Sequence, residues 1–88
     1  MNVEWTIAAL DQLAAFYVAL SLADQDTVAR TVQRINAELA LHPDTLGESR
    51  EGNSRIWFEG RLAVCYLIRA ADGVVTVNNV VLLRGLHR

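Results

Sequence analysis

The sequence contains no lysine, a single cysteine and no long apolar run. The lone Cys65 excludes an internal disulfide and a cysteine-based metal cluster. No apolar stretch reaches the roughly 18 residues that suggest a membrane-spanning helix. The first residues also lack the basic segment followed by an apolar stretch that marks a secretory signal. We therefore expect a cytoplasmic protein that works without a membrane, a metal or a small-molecule cofactor.

The charge of the chain is unevenly distributed. Residues 1–44 hold six acidic residues and two arginines, a net charge of −4, whereas residues 45–88 hold four acidic residues and six arginines, a net charge of +2. Arginine binds phosphate and carboxylate through two parallel hydrogen bonds, although genomic base composition alone also explains the absence of lysine. The second half suits an acidic partner or RNA, but it lacks the strong basic patch of a dedicated nucleic-acid binder.

The first half of the chain predicts a strand and two helices within one domain that spans all 88 residues. Residues 2–6 suit a short strand. Apolar residues at spacings of three and four predict a helix over 8–21 and a second helix over 24–41. Asp24 is the expected N-cap of the second helix, and the helix must end before Pro43, because a residue that precedes proline leaves helical geometry.

The second half predicts a loop over 43–53 and then three antiparallel strands. The strands are expected at residues 54–58, 62–69 and 74–83. The middle strand is apolar on both faces and is therefore placed in the centre of the sheet. The valine alternation of the last strand slips at Asn78-Asn79, which predicts a β-bulge there.

The turn between the first two of these strands decides which side chains face the helices. A three-residue turn over 59–61 places Ile56 and Phe58 on the helix-covered face and leaves Arg55 and Trp57 on the other. A two-residue turn instead directs Arg55 toward the core, where an unpaired charge is costly. We therefore expect the longer turn.

The order and spacing of several short motifs resemble the RelE/ParE superfamily of type II toxin–antitoxin toxins, which includes plasmid-stabilisation-like small proteins. The opening segment 5–13 has the family's aromatic residue, alanine and Asp-x-Leu pattern. The remaining matching positions are Arg34, Ile35, Asn36, Leu39, Pro43, Gly47, Arg55, Leu62, Val64 and Tyr66. The resemblance covers almost the whole chain. It implies an α+β fold with a short N-terminal strand, an antiparallel helix hairpin and a three-stranded antiparallel meander in one sheet packed on the helices.

The resemblance implies a toxin-like protein that is neutralised by a bound antitoxin, and it leaves the cellular target open. RelE-like members cleave mRNA on the ribosome, and ParE-like members inhibit DNA gyrase without being nucleases. A ribosome-dependent mRNA interferase, a gyrase inhibitor and a non-toxic degenerate relative are therefore all alternatives. Arg55, Trp57, Arg69 and Arg84 are the residues that we expect to contact RNA or a protein partner.

A candidate catalytic set consists of Glu48, Arg61 and His87. Metal-free RNA cleavage needs a base, cations that hold the scissile phosphate and an acid for the leaving group. Glu48 is the candidate base, Arg61 with Arg55 the phosphate clamp, and His87 the acid. RNA-cleaving members commonly carry an arginine three residues before the tyrosine of the central strand, and here that position is Ala63. Each residue also has a structural interpretation, as a solvated loop acid, a turn residue or part of a mobile terminus.

Overall fold

The computed structural model describes residues 1–83. The strands are β1 Asn2–Trp5, β2 Glu48–Ser49, β3 Ser54–Glu59, β4 Leu62–Arg69 and β5 Val74–Leu82, and the helices are α1 Ile7–Tyr17 and α2 Leu22–Leu41. A single 3-10 turn, Ala70–Asp72, connects β4 to β5. The predicted order of elements is confirmed, with β2 as an additional two-residue strand inside the expected loop.

The five strands form one mixed sheet in the order β1-β5-β4-β3-β2. The pairs β2–β3, β3–β4 and β4–β5 are antiparallel, whereas β1 lies parallel to β5. A parallel pair requires a crossover connection, and the intervening helices and strands provide it. The predicted α+β meander is therefore correct, and β4 lies in the centre of the sheet as expected.

Both helices begin one to two residues away from their predicted starts. The Thr6 hydroxyl accepts a hydrogen bond from the Ala9 amide at 3.1 Å and caps α1. The N-cap of α2 is Ser21 and not Asp24, because the Ser21 hydroxyl accepts from the Asp24 amide at 3.2 Å. A side-chain oxygen two or three residues upstream satisfies a free amide of the first turn, so Asp24 lies inside the helix.

The core lies between the helices and one face of the sheet, which we call the helix face. Fully or almost fully buried side chains from α1, α2, β4 and β5 form one cluster, namely Ala9, Val28, Ile35, Leu39, Leu62, Val64, Tyr66, Val75, Val77 and Val80. The register between β4 and β5 shifts opposite Cys65 and Tyr66, which leaves Asn78 as the extra residue. The predicted bulge is confirmed, and it keeps both halves of β5 facing the core.

The predicted register of the β3–β4 hairpin is wrong. Glu59 pairs with Leu62, so the turn consists of Gly60 and Arg61 alone. Gly60 has a φ of +58°, as a two-residue hairpin turn with glycine at its first position requires. Arg55 and Trp57 therefore share the helix face with Tyr66 and Val64, and Ile56 and Phe58 lie on the opposite face, which we call the open face.

The described residues also limit two classes of site. No helix within residues 1–83 is long and apolar enough to cross a membrane. In the same part of the chain, no three histidine, cysteine, aspartate or glutamate side chains lie close enough together to hold a metal ion.

Candidate functional site

Arg55 is an internal anchor of the loop that follows α2. Its Nε donates to the Leu46 carbonyl at 2.8 Å, and its Nη2 donates to the Gly47 carbonyl at 3.3 Å. The Tyr66 hydroxyl lies 2.8 Å from the Pro43 carbonyl and 3.1 Å from the Leu46 carbonyl. Two carbonyl oxygens thus accept hydrogen bonds from the guanidinium that was expected outside the core, and they lower the free energy of its partial burial.

Tyr66 is the residue whose ionisation responds most clearly to this environment. Burial of its hydroxyl raises its pKa above the ordinary value, and the nearby Arg55 guanidinium opposes this shift. The Asp44 carboxylate reinforces the rise. The phenol is therefore held in its neutral form, which suits a structural hydrogen-bond donor and not a general base.

Trp57 also packs inward. It pairs with Val64 on the helix face and is partly buried against the core cluster. The prediction that its ring stands on the uncovered side of the sheet is wrong, because the shorter hairpin turn reverses the facing of every β3 residue.

Glu48 and Arg61 do not meet. Glu48 pairs with Ile56 at the sheet edge, and its carboxylate lies 3.6 Å from Arg50. Arg61 lies in the hairpin turn, and its guanidinium is 4.0 Å from Asp24 at the start of α2. The stretch of β3 between Ile56 and the turn spans about 10 Å at roughly 3.3 Å per residue.

Two of the candidate site residues near the end of the chain, Arg84 and His87, lie outside the described residues. The assignment of Glu48, Arg61 and His87 as a catalytic set therefore stays a prediction. Arg69 is described and lies at the end of β4, where its guanidinium is 3.0 Å from Asp72. A pair at this exposure is weak, so the arginine remains accessible to a partner.

The centre of the open face is apolar. Ala63 occupies it between Phe58 of β3 and Val81 of β5, whose side chains are 54% and 47% exposed. Cys65 and Ile56 pair directly alongside. Ala63 is the position where the resemblance predicts an arginine in RNA-cleaving members, and within residues 1–83 its strand neighbours carry no cation that replaces it.

Charged residues of the open face lie at its margins. Glu4 pairs with Thr76 at the β1 edge, and Glu48 lies in β2 at the opposite edge. A surface with an apolar centre and a polar rim is typical of protein–protein contacts, whereas a scissile phosphate needs cations at its centre.

Two apolar clefts flank α1. One lies between α1 and α2 and is lined by Leu10, Leu13, Ala14, Tyr17, Val28, Ala29 and Val32. The other lies between α1 and the second half of β5 and is lined by Gln12, Ala15, Phe16, Ala19, Leu20, Val80, Val81 and Leu82. We call them the hairpin groove and the edge cleft.

Among the described residues, Gln12 is the one polar side chain that lines the edge cleft, and it was not among the site residues expected from the sequence. Its Oε1 accepts a hydrogen bond from the Val80 amide at 2.9 Å. The available signal was an amide side chain within the apolar segment 7–20, but its partner is 68 residues away in the sequence, so only the fold reveals the contact.

No family model matches the sequence, and no curated protein matches it either. Solved structures do share its fold. A chain of the chromosomal ParDE toxin–antitoxin system from P. aeruginosa superposes with a TM-score of 0.72 at 13% identity, over 96% of this chain and 97% of that chain. A chain of the toxin–antitoxin complex RelBE2 from Mycobacterium tuberculosis gives 0.71 at 18% identity, over 96% and 92%. The expected RelE/ParE-like fold is thereby confirmed.

Proposed function

We propose that this chain is the toxin-like component of a type II toxin–antitoxin module and is neutralised by a bound antitoxin. The observation that carries the proposal is the end-to-end likeness of its fold to chains from two toxin–antitoxin systems. Because a fold can host many functions, the surface of this particular chain has to support the same conclusion.

The distribution of apolar residues supports a protein partner. Ile7, Val18 and Leu22 are 79%, 74% and 84% exposed on or beside α1. Ile7 begins α1, Val18 follows its last residue and Leu22 begins α2, so the helix hairpin carries exposed apolar side chains in addition to the clefts beside α1. Exposed apolar patches mark interaction sites, and an antitoxin that wraps the helix hairpin would cover the two clefts beside α1.

The open face favours a toxin that acts by binding over one that cleaves RNA. Its centre is Ala63 with Phe58 and Val81, and Glu48 and Arg61 are separated along β3. Inhibition of DNA gyrase by binding, as in ParE-like toxins, is therefore the activity that we prefer. The mRNA interferase that uses Glu48, Arg61 and His87 is the second candidate, since His87 lies outside the described residues.

Induced expression in a bacterial host tests these proposals. We expect growth arrest with intact mRNA ends and equal arrest from Glu48→Ala and His87→Ala. Glu51→Ala, which removes a neighbouring loop carboxylate, is the matched control. We also expect purified protein to inhibit gyrase supercoiling.

Each other outcome has a definite meaning. Codon-periodic cuts in mRNA that vanish in Glu48→Ala and His87→Ala, but not in Glu51→Ala, would establish the interferase and its residues. Arrest without cuts and without gyrase inhibition would exclude both target classes. Absence of arrest would identify a non-toxic relative and overturn the proposed function.

The expected antitoxin is a small acidic protein, because residues 45–88 carry a net positive charge. Co-expression with the product of the adjacent gene should relieve growth arrest and give a complex that co-purifies. Arg69→Ala should weaken that complex at low salt more than at high salt, since a rim charge acts mainly through screened electrostatics.

A further inference from the structure

The sheet has an open backbone edge along the second half of β5. β1 pairs with Val74 to Val77 only, and the chain then turns into α1 at Thr6, whose amide bonds to the Val77 carbonyl at 2.9 Å. The bulged Asn78 follows. From Asn78 to Leu82, β5 therefore has β4 on one side and, among the described residues, no strand on the other.

The orientation of the backbone groups along this edge follows from two contacts. The Val80 amide bonds to Gln12 of α1, so it points away from β4. The Leu83 amide bonds to the Arg61 carbonyl at 2.7 Å, on the β4 side. Because backbone groups alternate along an antiparallel strand, the Val80 carbonyl and both groups of Leu82 face the open edge.

Gln12 already accepts the hydrogen bond of one backbone amide of this edge, that of Val80. Its side-chain carbonyl occupies the place that a neighbouring strand would give to a backbone carbonyl, and its geometry of 2.9 Å is that of a ladder bond. The three edge groups that follow have the spacing of a strand ladder, so an extended polypeptide is the occupant that their hydrogen bonds match.

The walls of the edge cleft define the side chains of that polypeptide. Ala15, Phe16, Ala19 and Leu20 form an apolar wall beside the edge, and among residues 1–83 no charged side chain lines the cleft. Alternate residues of an added strand point to opposite sides. The residues that face α1 must therefore be apolar, and those that face the open face can be polar.

We infer that the edge cleft binds an extended segment of a second polypeptide, which adds to the sheet beside Val80 to Leu82 and directs every second, apolar side chain against α1. The identification of that segment as part of the antitoxin rests on the function proposed above. The site itself rests on the edge and the cleft, and its test needs neither toxicity nor the antitoxin.

A phage-displayed library of random short peptides, selected on the purified full chain, is the probe. The selected peptides should carry apolar residues at every second position. A synthetic peptide from this pool should slow hydrogen exchange of the Leu82 amide in the wild-type protein, because that amide acquires a strand partner.

Ala14 and Ala15 provide a matched pair of variants. They are exposed neighbours on α1, but Ala15 lines the edge cleft and Ala14 lines the hairpin groove. Ala15→Arg should weaken binding of the selected peptide about tenfold or more, and Ala14→Arg should leave it unchanged. Melting temperatures check that both variants fold.

Three results would overturn the inference. Selected peptides with apolar residues at spacings of three and four would indicate a helical occupant. Loss of binding in Ala14→Arg instead of Ala15→Arg would move the site to the hairpin groove. Absence of any peptide that binds the folded wild-type chain and protects the Leu82 amide would exclude strand addition, and this readout holds even if Ala15→Arg does not fold.

Discussion

At the scale of single residues, Tyr66 ties the loop after α2 to the centre of the sheet. Its buried hydroxyl lies within hydrogen-bond distance of two loop carbonyls, 2.8 Å from that of Pro43 and 3.1 Å from that of Leu46. A hydroxyl has one proton to donate, so Pro43 is its stronger acceptor. Together with Arg55, this hydroxyl holds the loop that leads into β2.

Tyr66→Phe should lower the free energy of unfolding by about 1–3 kcal/mol at neutral pH, because it leaves loop carbonyls without their donor. Above pH 10 this difference should shrink. The folded-state pKa is raised above 10.0 by burial, so the unfolded tyrosine ionises first and stability falls as pH rises toward the folded pKa. Urea denaturation of both proteins across this range measures the effect. A difference that stays constant with pH would contradict it.

Gly47 is required by its neighbours as well as by its backbone angle. Its φ is +62°, and an added Cβ would lie 2.1 Å from the Ile56 carbonyl oxygen. Gly52 has nearly the same φ of +60°, but nothing lies within 4 Å of its added Cβ. The two glycines therefore separate backbone strain from steric overlap.

Gly52→Ala should destabilise the protein by about 1–2 kcal/mol, the usual cost of the left-handed conformation for an L-residue. Gly47→Ala should cost clearly more, because a backbone atom of β3 has to move as well. Chemical denaturation of the two variants decides the point, and equal losses would show that the close approach to Ile56 carries no penalty.

At the scale of elements, α1 is held to the sheet by apolar packing and by one side-chain hydrogen bond. Ala9 is its one fully buried residue. The Gln12–Val80 bond joins the helix to β5, and the Thr6 cap fixes where the helix starts. Leu13 and Phe16 pack partly buried against the core, and the Gln12 bond adds a directional contact at the edge of β5.

Gln12→Ala should destabilise the protein by about 1 kcal/mol, because the Val80 amide loses its acceptor. Gln12→Glu retains a side-chain oxygen at the same place and should restore protection of that amide. Hydrogen exchange at Val80 distinguishes the two variants. Unchanged protection in Gln12→Ala would mean that the bond does not hold α1 against the edge.

At the scale of the whole molecule, the helix side and the open face offer two apolar surfaces that meet at Val81. The helix side carries the two clefts, and the open side carries Phe58 and Val81 around Ala63. Under the function proposed above, the helix side is the expected contact of the antitoxin and the open face that of the cellular target.

Phe58→Ser should keep the melting temperature within a few degrees, because its side chain is about half exposed, and it should relieve growth arrest. Ile7→Ser, on the helix side, is the matched control and should remain toxic. Thermal unfolding and growth curves measure both effects. Full toxicity of a folded Phe58→Ser variant would place the target contact elsewhere.

The amino-acid sequence determined the order of the elements, the central position of β4 and the bulge at Asn78. These features depend on local periodicity and on the residue types of a single segment, so they can be predicted without knowledge of what packs against them. The predicted N-cap Asp24 was wrong, because α2 begins earlier, with Ser21 as its N-cap, and the starting residue depends on the path of the chain between the two helices.

Only the tertiary structure decided the register of the β3–β4 hairpin and the facing of the candidate site residues. From the sequence alone, Arg55 is expected outside the core because a buried cation without a partner is unfavourable. Its partners are the carbonyls of Leu46 and Gly47. Every residue has a backbone carbonyl, so the amino-acid types of another segment do not predict which carbonyls will accept its hydrogen bonds. That contact allows the shorter turn, and the shorter turn moves Arg55 and Trp57 to the helix face and Phe58 to the open face.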